Sequence, residues 1–205
     1  MAALAFVIIS ILVMTGVTAT FDRHWLEGPG LWGRADPTRL RLLDFLTNAG
    51  DARNRFVVTA VVALALWFGG RRRLAIFLGG TVATGAAVCA LLKLLTERAR
   101  PDLIPHLDHV TSFSYPSGHA WNAVVYYGAL AVVSAAIWPR SRALVLVLVL
   151  VLILAGLTGF SRIALGVHWP TDVLGGWAGG LAWLFLGWAW LDRGKASSGP
   201  RAGRA

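Results

Sequence analysis

Apolar residues are gathered into six long stretches, and polar or charged residues separate these stretches from one another. The stretches cover residues 2–18, 56–69, 74–95, 119–138, 143–160 and 171–191. A helix that spans a bilayer needs about 20 apolar residues, with a range of about 17–25. The last four stretches meet this length, the first is close to its lower limit and the second is shorter. The pattern predicts an all-α fold, an integral-membrane bundle of six helices.

The first stretch has no positively charged residue before it, since the first basic residue is Arg23. It therefore lacks the n-region of a secretory signal peptide, and we expect an uncleaved helix. The short second stretch is flanked by Arg53, Arg55 and Arg71, whose side chains we expect to snorkel to the membrane interfaces.

A polar segment of about residues 21–54 lies between the first two apolar stretches. Within it, Asp36 followed by Pro37 is typical of a helix N-cap and first helical position. Three leucines then follow at helical spacing before Gly50 ends the run. This pattern predicts one short amphipathic helix, between helices 1 and 2, that lies at the membrane interface.

Glycines are concentrated in the third and sixth stretches. Lipid gives no hydrophobic drive for helix association, so small residues that let helices approach closely are typical of membrane bundles. We expect a packing role for the pairs Gly175/Gly179 and Gly176/Gly180 in the sixth stretch and for Gly79, Gly80 and Gly85 in the third.

The composition supports a membrane protein, because 57% of the residues are hydrophobic and only 14% are charged, against about 25% charged in soluble domains. The formal charge is +9, with the basic residues placed between apolar runs. Anionic membrane lipids, rather than nucleic acid, are the expected partner. The single cysteine, Cys89, excludes an internal disulfide, and no cluster has the spacing of a metal site. We expect no metal or cofactor, one domain over residues 1–192, and a basic disordered tail over residues 193–205.

Helix order places the ends of the third and fifth helices and the starts of the fourth and sixth on one membrane face. The short connections at the other face carry Arg71, Arg72 and Arg73, and then Arg140 and Arg142. Basic residues in short loops favour the cytoplasmic side. We therefore expect a multi-pass protein of the plasma membrane, with the first face extracytoplasmic.

Three polar motifs lie on that face. In the first, Lys93 and Arg100 are seven residues apart, near two helical turns, and Pro101 ends the helix. Two cations at a helix end suit an anion, although interfacial snorkelling is the alternative.

The second motif, at the start of the fourth helix, is Tyr115-Pro116-Ser117-Gly118-His119. A helix start offers free N–H groups to an anion. Ser117 adds a hydroxyl donor, Gly118 allows close approach, and His119 could protonate a leaving oxygen. An ordinary N-cap and an interfacial histidine are the alternative.

The third motif contains Ser161, Arg162, His168 and Asp172. Arg162 presents a fork of donors that suits phosphate. Since Pro170 can begin a helix, His168 and Asp172 should lie about one turn apart. Asp172 could then accept a hydrogen bond from one ring nitrogen and leave the other free as a nucleophile. A capping aspartate beside an unrelated histidine is the alternative.

Together the motifs resemble the three-part signature of the type-2 phosphatidic acid phosphatase family, a group that includes vanadium haloperoxidases and glucose-6-phosphatase. The resemblance implies attack on phosphorus by His168, support from Asp172, and proton transfer by His119. It also implies that the phosphate is held by Lys93, Arg100, Ser117, Gly118 and Arg162. Tyr115 stands where relatives often have phenylalanine, a departure that we expect to be tolerated.

The expected reaction is metal-independent hydrolysis of a lipid phosphate or pyrophosphate through a phosphohistidine. Undecaprenyl pyrophosphate, phosphatidylglycerol phosphate and phosphatidic acid all fit, as does phosphotransfer to another acceptor. A small transporter fits less well, because its polar residues should lie near mid-membrane. The oligomeric state stays open. Four other polar residues in the loop between the first two motifs are expected to be solvated, with a role near the headgroup as the alternative: Asp102, His106, Asp108 and His109. His24 also falls on the motif face.

Overall fold

The structure, a computed structural model, describes residues 1–49, 51–108, 110–139 and 142–196. Within these ranges the secondary structure consists of eight helices and no strand. In chain order they are α1 (Ala2–Met14), α2 (Ala19–Arg34), α3 (Pro37–Ala49), α4 (Ala52–Phe68), α5 (Arg72–Thr96), α6 (Gly118–Ile137), α7 (Ala143–Ala164) and α8 (Pro170–Ala196). The predicted all-α fold is confirmed. Residues 197–205 of the predicted tail lie outside the described residues.

Four of the described helices, α5 to α8, are long and apolar enough to cross a membrane. α1 and α2 meet the same requirement only as a pair, and they are bent by 97° where they join, which gives up to five spans. α1 alone has 13 residues and is about 20 Å long, whereas the hydrocarbon core is about 30 Å thick. α4 has 17 residues. A multi-pass bundle is therefore present, and the count of six spans stays a prediction.

The prediction of a single helix between the first and second apolar stretches is wrong, because this segment contains both α2 and α3. α2 was missed although it is amphipathic, because its three glycines and Pro29 are typical of a loop rather than of a helix interior. Tertiary packing stabilises it: Leu26 is buried, and Gly33 packs against the backbone of Ala164. The predicted cap of α3 is confirmed by a bond of 2.7 Å from Thr38 N–H to Asp36 Oδ1. Gly50 lies outside the described residues.

α6 lies at the centre of the bundle and is the most buried of the four long helices. Its residues Trp121 and Val125 pack into the main apolar core together with Phe77, Leu78 and Val82 of α5. α1 joins this core from the side of α8, where Phe6 contacts the edge of Trp121. α7 is much less buried, so most of its apolar surface faces outward, as expected for a helix in lipid.

The glycines of α8 let α6 approach closely. A Cβ atom at Gly176 would lie 2.8 Å from the carbonyl oxygen of Ser117, and one at Gly180 would lie 2.7 Å from that of Trp121. Gly175 and Gly179 contact Tyr115 and Trp121 in the same way. The packing role predicted for both α8 pairs is confirmed.

The glycines of α5 differ in their surroundings. Gly85 packs against Trp183, because a Cβ atom at Gly85 would lie 3.0 Å from Cδ1 of that ring. Its predicted packing role is confirmed. Nothing lies within 4 Å of a Cβ at Gly79 or Gly80. The packing role predicted for these two is wrong, because open space surrounds both positions and none of the described helices approaches them closely.

Helix packing brings the three motifs together at one end of the bundle. The N–H of Ser117 at the start of α6 donates to the carbonyl of Asp172 in α8, over 2.9 Å. The loop after α5 is joined to the loop after α7 by a bond of 3.1 Å from Leu107 N–H to the carbonyl of Leu165. The predicted convergence of the four helix ends is therefore confirmed.

Replacing Gly176 by alanine should destabilise the bundle, since the new methyl group meets backbone atoms that cannot move independently of α6. We expect Gly176→Ala to lower the free energy of unfolding by about 1–3 kcal/mol. Unfolding of the detergent-solubilised protein measures this. Gly79→Ala is the matched control and should be neutral or stabilising by up to about 1 kcal/mol. Equal effects of the two substitutions would contradict the close-packing assignment.

Candidate active site

His168 lies in the short turn between α7 and α8, and Asp172 lies in the first turn of α8. Pro170 begins this helix, as predicted, and places the two side chains four residues apart on one side of it. His168 Nδ1 is 3.3 Å from Asp172 Oδ2. Both side chains are buried, with relative exposures of 2% for His168 and 0% for Asp172. The predicted pairing is present in the structure.

The partners of His168 identify its tautomer. Arg100 Nη1 lies 3.3 Å from His168 Nε2. Because a guanidinium can only donate, Nε2 is assigned as the acceptor and Nδ1 as the nitrogen that carries the hydrogen. Burial lowers the pKa of His168 well below its usual value, and the opposing effect of Asp172 is smaller. The ring is therefore neutral at pH 7, with its Nε2 lone pair directed towards a cation.

Two further donors from loops satisfy the carboxylate of Asp172. Ser114 Oγ donates to Asp172 Oδ2 and is 3.4 Å from His168 Nδ1. The N–H of Trp169 donates to the same oxygen over 2.9 Å. The motif spacing did not single out Ser114, because its position beside Asp172 depends on how the loop of residues 97–117 folds.

Arg98 is a second residue that the motif spacing did not reveal. Its guanidinium contacts Asp172 Oδ1 at 2.5 Å and Asp22 Oδ2, on α2, at 2.7 Å. Asp172 therefore has a charged partner as well as His168. A cation two residues before Arg100 was visible in the sequence, but only the fold shows that it faces Asp172 rather than solvent.

Lys93 and Arg100 surround the histidine and are held by backbone carbonyls. Lys93 Nζ donates to the carbonyl of Phe113 over 2.5 Å and lies 3.3 Å from that of Ser114. Arg100 donates to the carbonyl of Val167 over 2.6 Å. These neutral acceptors leave the positive charges uncancelled, as an anion site requires. Burial and, second, the positive charge of Arg162 lower the pKa of Arg100, but it stays cationic at neutral pH.

Arg162 is fully buried, and its backbone carbonyl accepts the N–H of His168 over 3.3 Å. Its Nη2 forms an ion pair of 2.7 Å with Asp108, and its Nη1 lies 3.3 Å from Thr47 Oγ1. Ser161 Oγ also contacts Thr47, at 2.9 Å. The expectation of a merely solvated Asp108 is wrong, because the loop folds this carboxylate onto Arg162.

The second motif lies beside Lys93. Ser117 is fully buried, and its hydroxyl has no hydrogen-bond partner among the described residues and does not cap α6. The capping alternative is therefore not supported. A Cβ atom at Gly118 would lie 3.5 Å from Cε of Lys93, so the helix start faces this cation. His119 is half-buried in the first turn of α6, but it is not part of the hydrogen-bond network described above for His168.

The remaining polar residues of this face have structural or peripheral positions. His106 Nε2 is 2.6 Å from the carbonyl of Pro101 and so fastens the loop. His24 is exposed beside Trp25. Asp102 is exposed, as expected for a solvated loop residue. His109 lies outside the described residues.

The arrangement of cations around a neutral imidazole ring is suited to an oxyanion. Its cations are pre-positioned by loop carbonyls, its nucleophile candidate is oriented by a carboxylate, and one free hydroxyl faces inward. Such pre-organised donors stabilise charge that develops in a transition state.

Comparison with known proteins agrees with this geometry. The PAP2 superfamily model matches residues 73–195, well over half of the chain. The protein belongs to the PAP2 superfamily, which confirms the resemblance seen in the motifs.

Individual relatives share part of the chain. Phosphatidylglycerophosphatase B of Bacillus subtilis (strain 168) is 43% identical over 97 residues, which are 47% of this chain and 47% of the relative. Undecaprenyl-diphosphatase of Sulfolobus acidocaldarius is 30% identical over 149 residues, 70% of this chain and 66% of the relative. The chain thus spans about half of the first relative and about two thirds of the second.

A solved structure matches nearly the whole chain. It is the crystal structure of a transmembrane PAP2 type phosphatidylglycerolphosphate phosphatase from Bacillus subtilis, with a TM-score of 0.81 and 27% identity. The match covers 98% of this chain and 97% of the other. The all-α membrane fold is therefore shared over its full length.

Removing the charge of Asp108 should strengthen anion binding, because this carboxylate competes for Arg162 and repels a second anion. We expect Asp108→Asn to lower the dissociation constant for inorganic phosphate about threefold to tenfold, that is by about 0.7–1.4 kcal/mol. Calorimetric titration of the protein in detergent measures it. Asp102→Asn, in the same loop but exposed, is the control and should have no effect. Weaker phosphate binding by Asp108→Asn would show that Asp108 supports Arg162 rather than competing with the anion.

Proposed function

We propose that this protein hydrolyses a phosphate or diphosphate ester of a membrane lipid, with His168 as nucleophile. One observation carries the proposal: the buried, neutral ring of His168 has Nδ1 beside Asp172 and Nε2 beside Arg100. A lone pair held among cations is suited to attack an anionic phosphorus centre. The names of the relatives, phosphatases of phosphatidylglycerophosphate and undecaprenyl diphosphate, support the same class of reaction.

In the proposed reaction, Nε2 of His168 forms a bond to phosphorus while the bond from phosphorus to the leaving oxygen breaks. His119 gives its proton to that oxygen. Water then attacks phosphorus and gives a proton to His119, while the bond between phosphorus and Nε2 of His168 breaks and inorganic phosphate is released. Asp172 stabilises the positive charge on the ring during both steps.

Five groups would hold the phosphoryl oxygens. Each well-placed donor stabilises the transition state by about 3–4 kcal/mol in comparable sites. Two or three such donors would therefore account for a large part of the rate acceleration of phosphate hydrolysis. The proposed set is Lys93, Arg100, Ser117, Gly118 and Arg162.

The proposal needs no metal ion. The positive charge that a metal would supply to phosphoryl oxygens comes here from lysine and arginine side chains. In the described ranges, no three residues among His, Cys, Asp and Glu are grouped as metal ligands.

A lipid substrate follows from where the site lies. His168 and Arg100 lie just beyond the ends of α7 and α5, two helices that are able to cross the membrane. This is the level of the lipid headgroups, so a phosphate could enter the site while its acyl or prenyl chain stays in the bilayer. The substrate class includes undecaprenyl pyrophosphate, phosphatidylglycerol phosphate and phosphatidic acid.

His168→Ala should abolish phosphate release, since it removes the only proposed nucleophile. We expect turnover to fall at least about 1,000-fold, measured as inorganic phosphate released from these lipids in detergent with EDTA present. His24→Ala, an exposed histidine near the same end of the bundle, is the control and should keep normal turnover. Normal turnover by His168→Ala would contradict the proposed mechanism.

The substrate is found by comparing the same three lipids at equal concentration. One of them should give a kcat/KM at least tenfold above the others, and mass spectrometry of the products separates hydrolysis from phosphotransfer to a second lipid. A new phosphorylated lipid, formed without release of phosphate, would show that the protein transfers the phosphoryl group instead of hydrolysing the substrate.

We also propose that the site faces the outside of the plasma membrane. The opposite end carries Arg72 and Arg73, whose side chains lie over Trp67 and Trp190 at 5.3 and 5.7 Å. Tryptophans mark a membrane interface on either side, whereas arginines close to a helix end and a short connection favour the cytoplasmic side.

Labelling of single cysteines tests this orientation. In a Cys89→Ser background, a membrane-impermeant maleimide should label Asp102→Cys in intact cells and leave Arg71→Cys unlabelled, since both positions are exposed at opposite ends. Both should be labelled after permeabilisation. The reverse pattern in intact cells would place the site in the cytoplasm.

A further inference from the structure

A buried carboxylate from the N-terminal part of the chain lies behind the site. Asp22, in the first turn of α2, has a relative exposure of 1%. It lies outside the three motifs and outside residues 73–195, which the PAP2 superfamily model matches. A carboxylate is rarely buried unless other groups satisfy its charge and its lone pairs. The partners of Asp22 therefore indicate what it does.

Two of these partners belong to the start of α8. The N–H of Thr171 donates to Asp22 Oδ1 over 2.9 Å, and the hydroxyl of Thr171 donates to Oδ2 over 2.7 Å. An N–H in the first turn of a helix has no partner within that helix. Asp22 supplies this partner from α2, and so it holds in place the residue that directly precedes Asp172.

The third partner is Arg98, which lies between two carboxylates. Its Nη2 is 2.7 Å from Asp22 Oδ2, and its Nη1 is 2.5 Å from Asp172 Oδ1. Nη1 also donates to Thr171 Oγ1 over 2.9 Å. Because the guanidinium is planar, anchoring one of its nitrogens fixes the direction of the other.

We propose that Asp22 is a positioning residue for the active site, acting through Arg98 and Thr171 to hold Asp172 against His168. Asp22 touches neither His168 nor the phosphate-binding cations. Its loss frees one side of Arg98 and the first turn of α8, and so moves the carboxylate that orients the nucleophile. α2 reaches this place after a bend of 97° from α1, so a residue of the N-terminal segment supports the site.

The kinetic test rests on the proposed function. Asp22→Asn keeps the shape of the side chain but removes its charge. We expect kcat to fall about 10- to 100-fold, because small misplacements of catalytic groups have effects of this size. KM and the inhibition constant of inorganic phosphate should stay within about twofold of wild type, since the proposed phosphate-binding residues are untouched. Glu27→Gln, an exposed acidic residue on the same helix, is the control and should match wild type.

A double substitution tests the route through Arg98. If Asp22 acts through this arginine, Asp22→Asn should add little to the loss already caused by Arg98→Gln. Fully multiplicative losses would overturn that route, as would wild-type kcat in Asp22→Asn. A merely structural role would lower the thermal stability in detergent and leave kcat per folded molecule unchanged, which also overturns the proposal.

A spectroscopic arm does not depend on catalysis. In ¹⁵N-histidine-labelled protein, the His168 signals, assigned through His168→Gln, should show a neutral ring with the hydrogen on Nδ1. Asp22→Asn should shift these signals and Glu27→Gln should not. Unchanged His168 signals in Asp22→Asn would overturn the proposal even if no substrate were hydrolysed, whereas an inactive wild type with shifted signals would count against the proposed function alone.

Discussion

The carboxylate of Asp172 is fully buried. The end of the bundle that carries the site is arranged so that this buried charge has hydrogen-bond and ion-pair partners. A buried charge is costly unless partners with good geometry surround it. Its partners come from separate parts of the chain: His168 from the turn before α8, Ser114 and Arg98 from the loop after α5, and Asp22, through Arg98, from α2. The same contacts that neutralise Asp172 therefore hold the ends of several helices together. Without lipid-driven hydrophobic association between helices, such polar contacts have a large share in the structure of a membrane bundle.

Close packing of α6 on α8 is the second requirement. Gly176 and Gly180 leave room for the backbone of α6, and this approach allows Ser117 N–H to reach the carbonyl of Asp172. Tyr115 occupies the space over Gly175 and bonds through its hydroxyl to Ser10 of α1 at 2.7 Å. The hydroxyl that distinguishes this tyrosine from phenylalanine is thus used to attach α1 to the site loop. Packing and the site are coupled here, because the glycine face of α8 continues directly into the turn that carries His168, the proposed nucleophile.

The positive charges of Lys93 and Arg100 are not neutralised by carboxylate partners among the described residues. Lys93 and Arg100 donate to backbone carbonyls, whereas Arg162 forms an ion pair with Asp108. Carbonyl groups orient a cation without cancelling its charge, so an incoming phosphate meets an electropositive, buried surface. Under the proposed function, the phosphate of a lipid would reach this surface at the level of the headgroups while its chain stays in the bilayer.

The sequence by itself determined the long apolar helices, the three motifs and the pairing of His168 with Asp172. These are local properties: hydropathy decides whether a segment enters lipid, and a proline that begins a helix places residues four apart on one side of it. Tertiary structure alone decided the rest. α2 is a helix despite its glycines and Pro29. Ser114 and Asp108 reach their partners through a folded loop, and Gly79 and Gly175 look alike until their neighbours are known. Asp22 is the clearest case, since a polar residue near a helix start is ordinary until a bend buries it against Arg98. A contact between residues distant in the chain depends on how helices cross, and no local spacing records that.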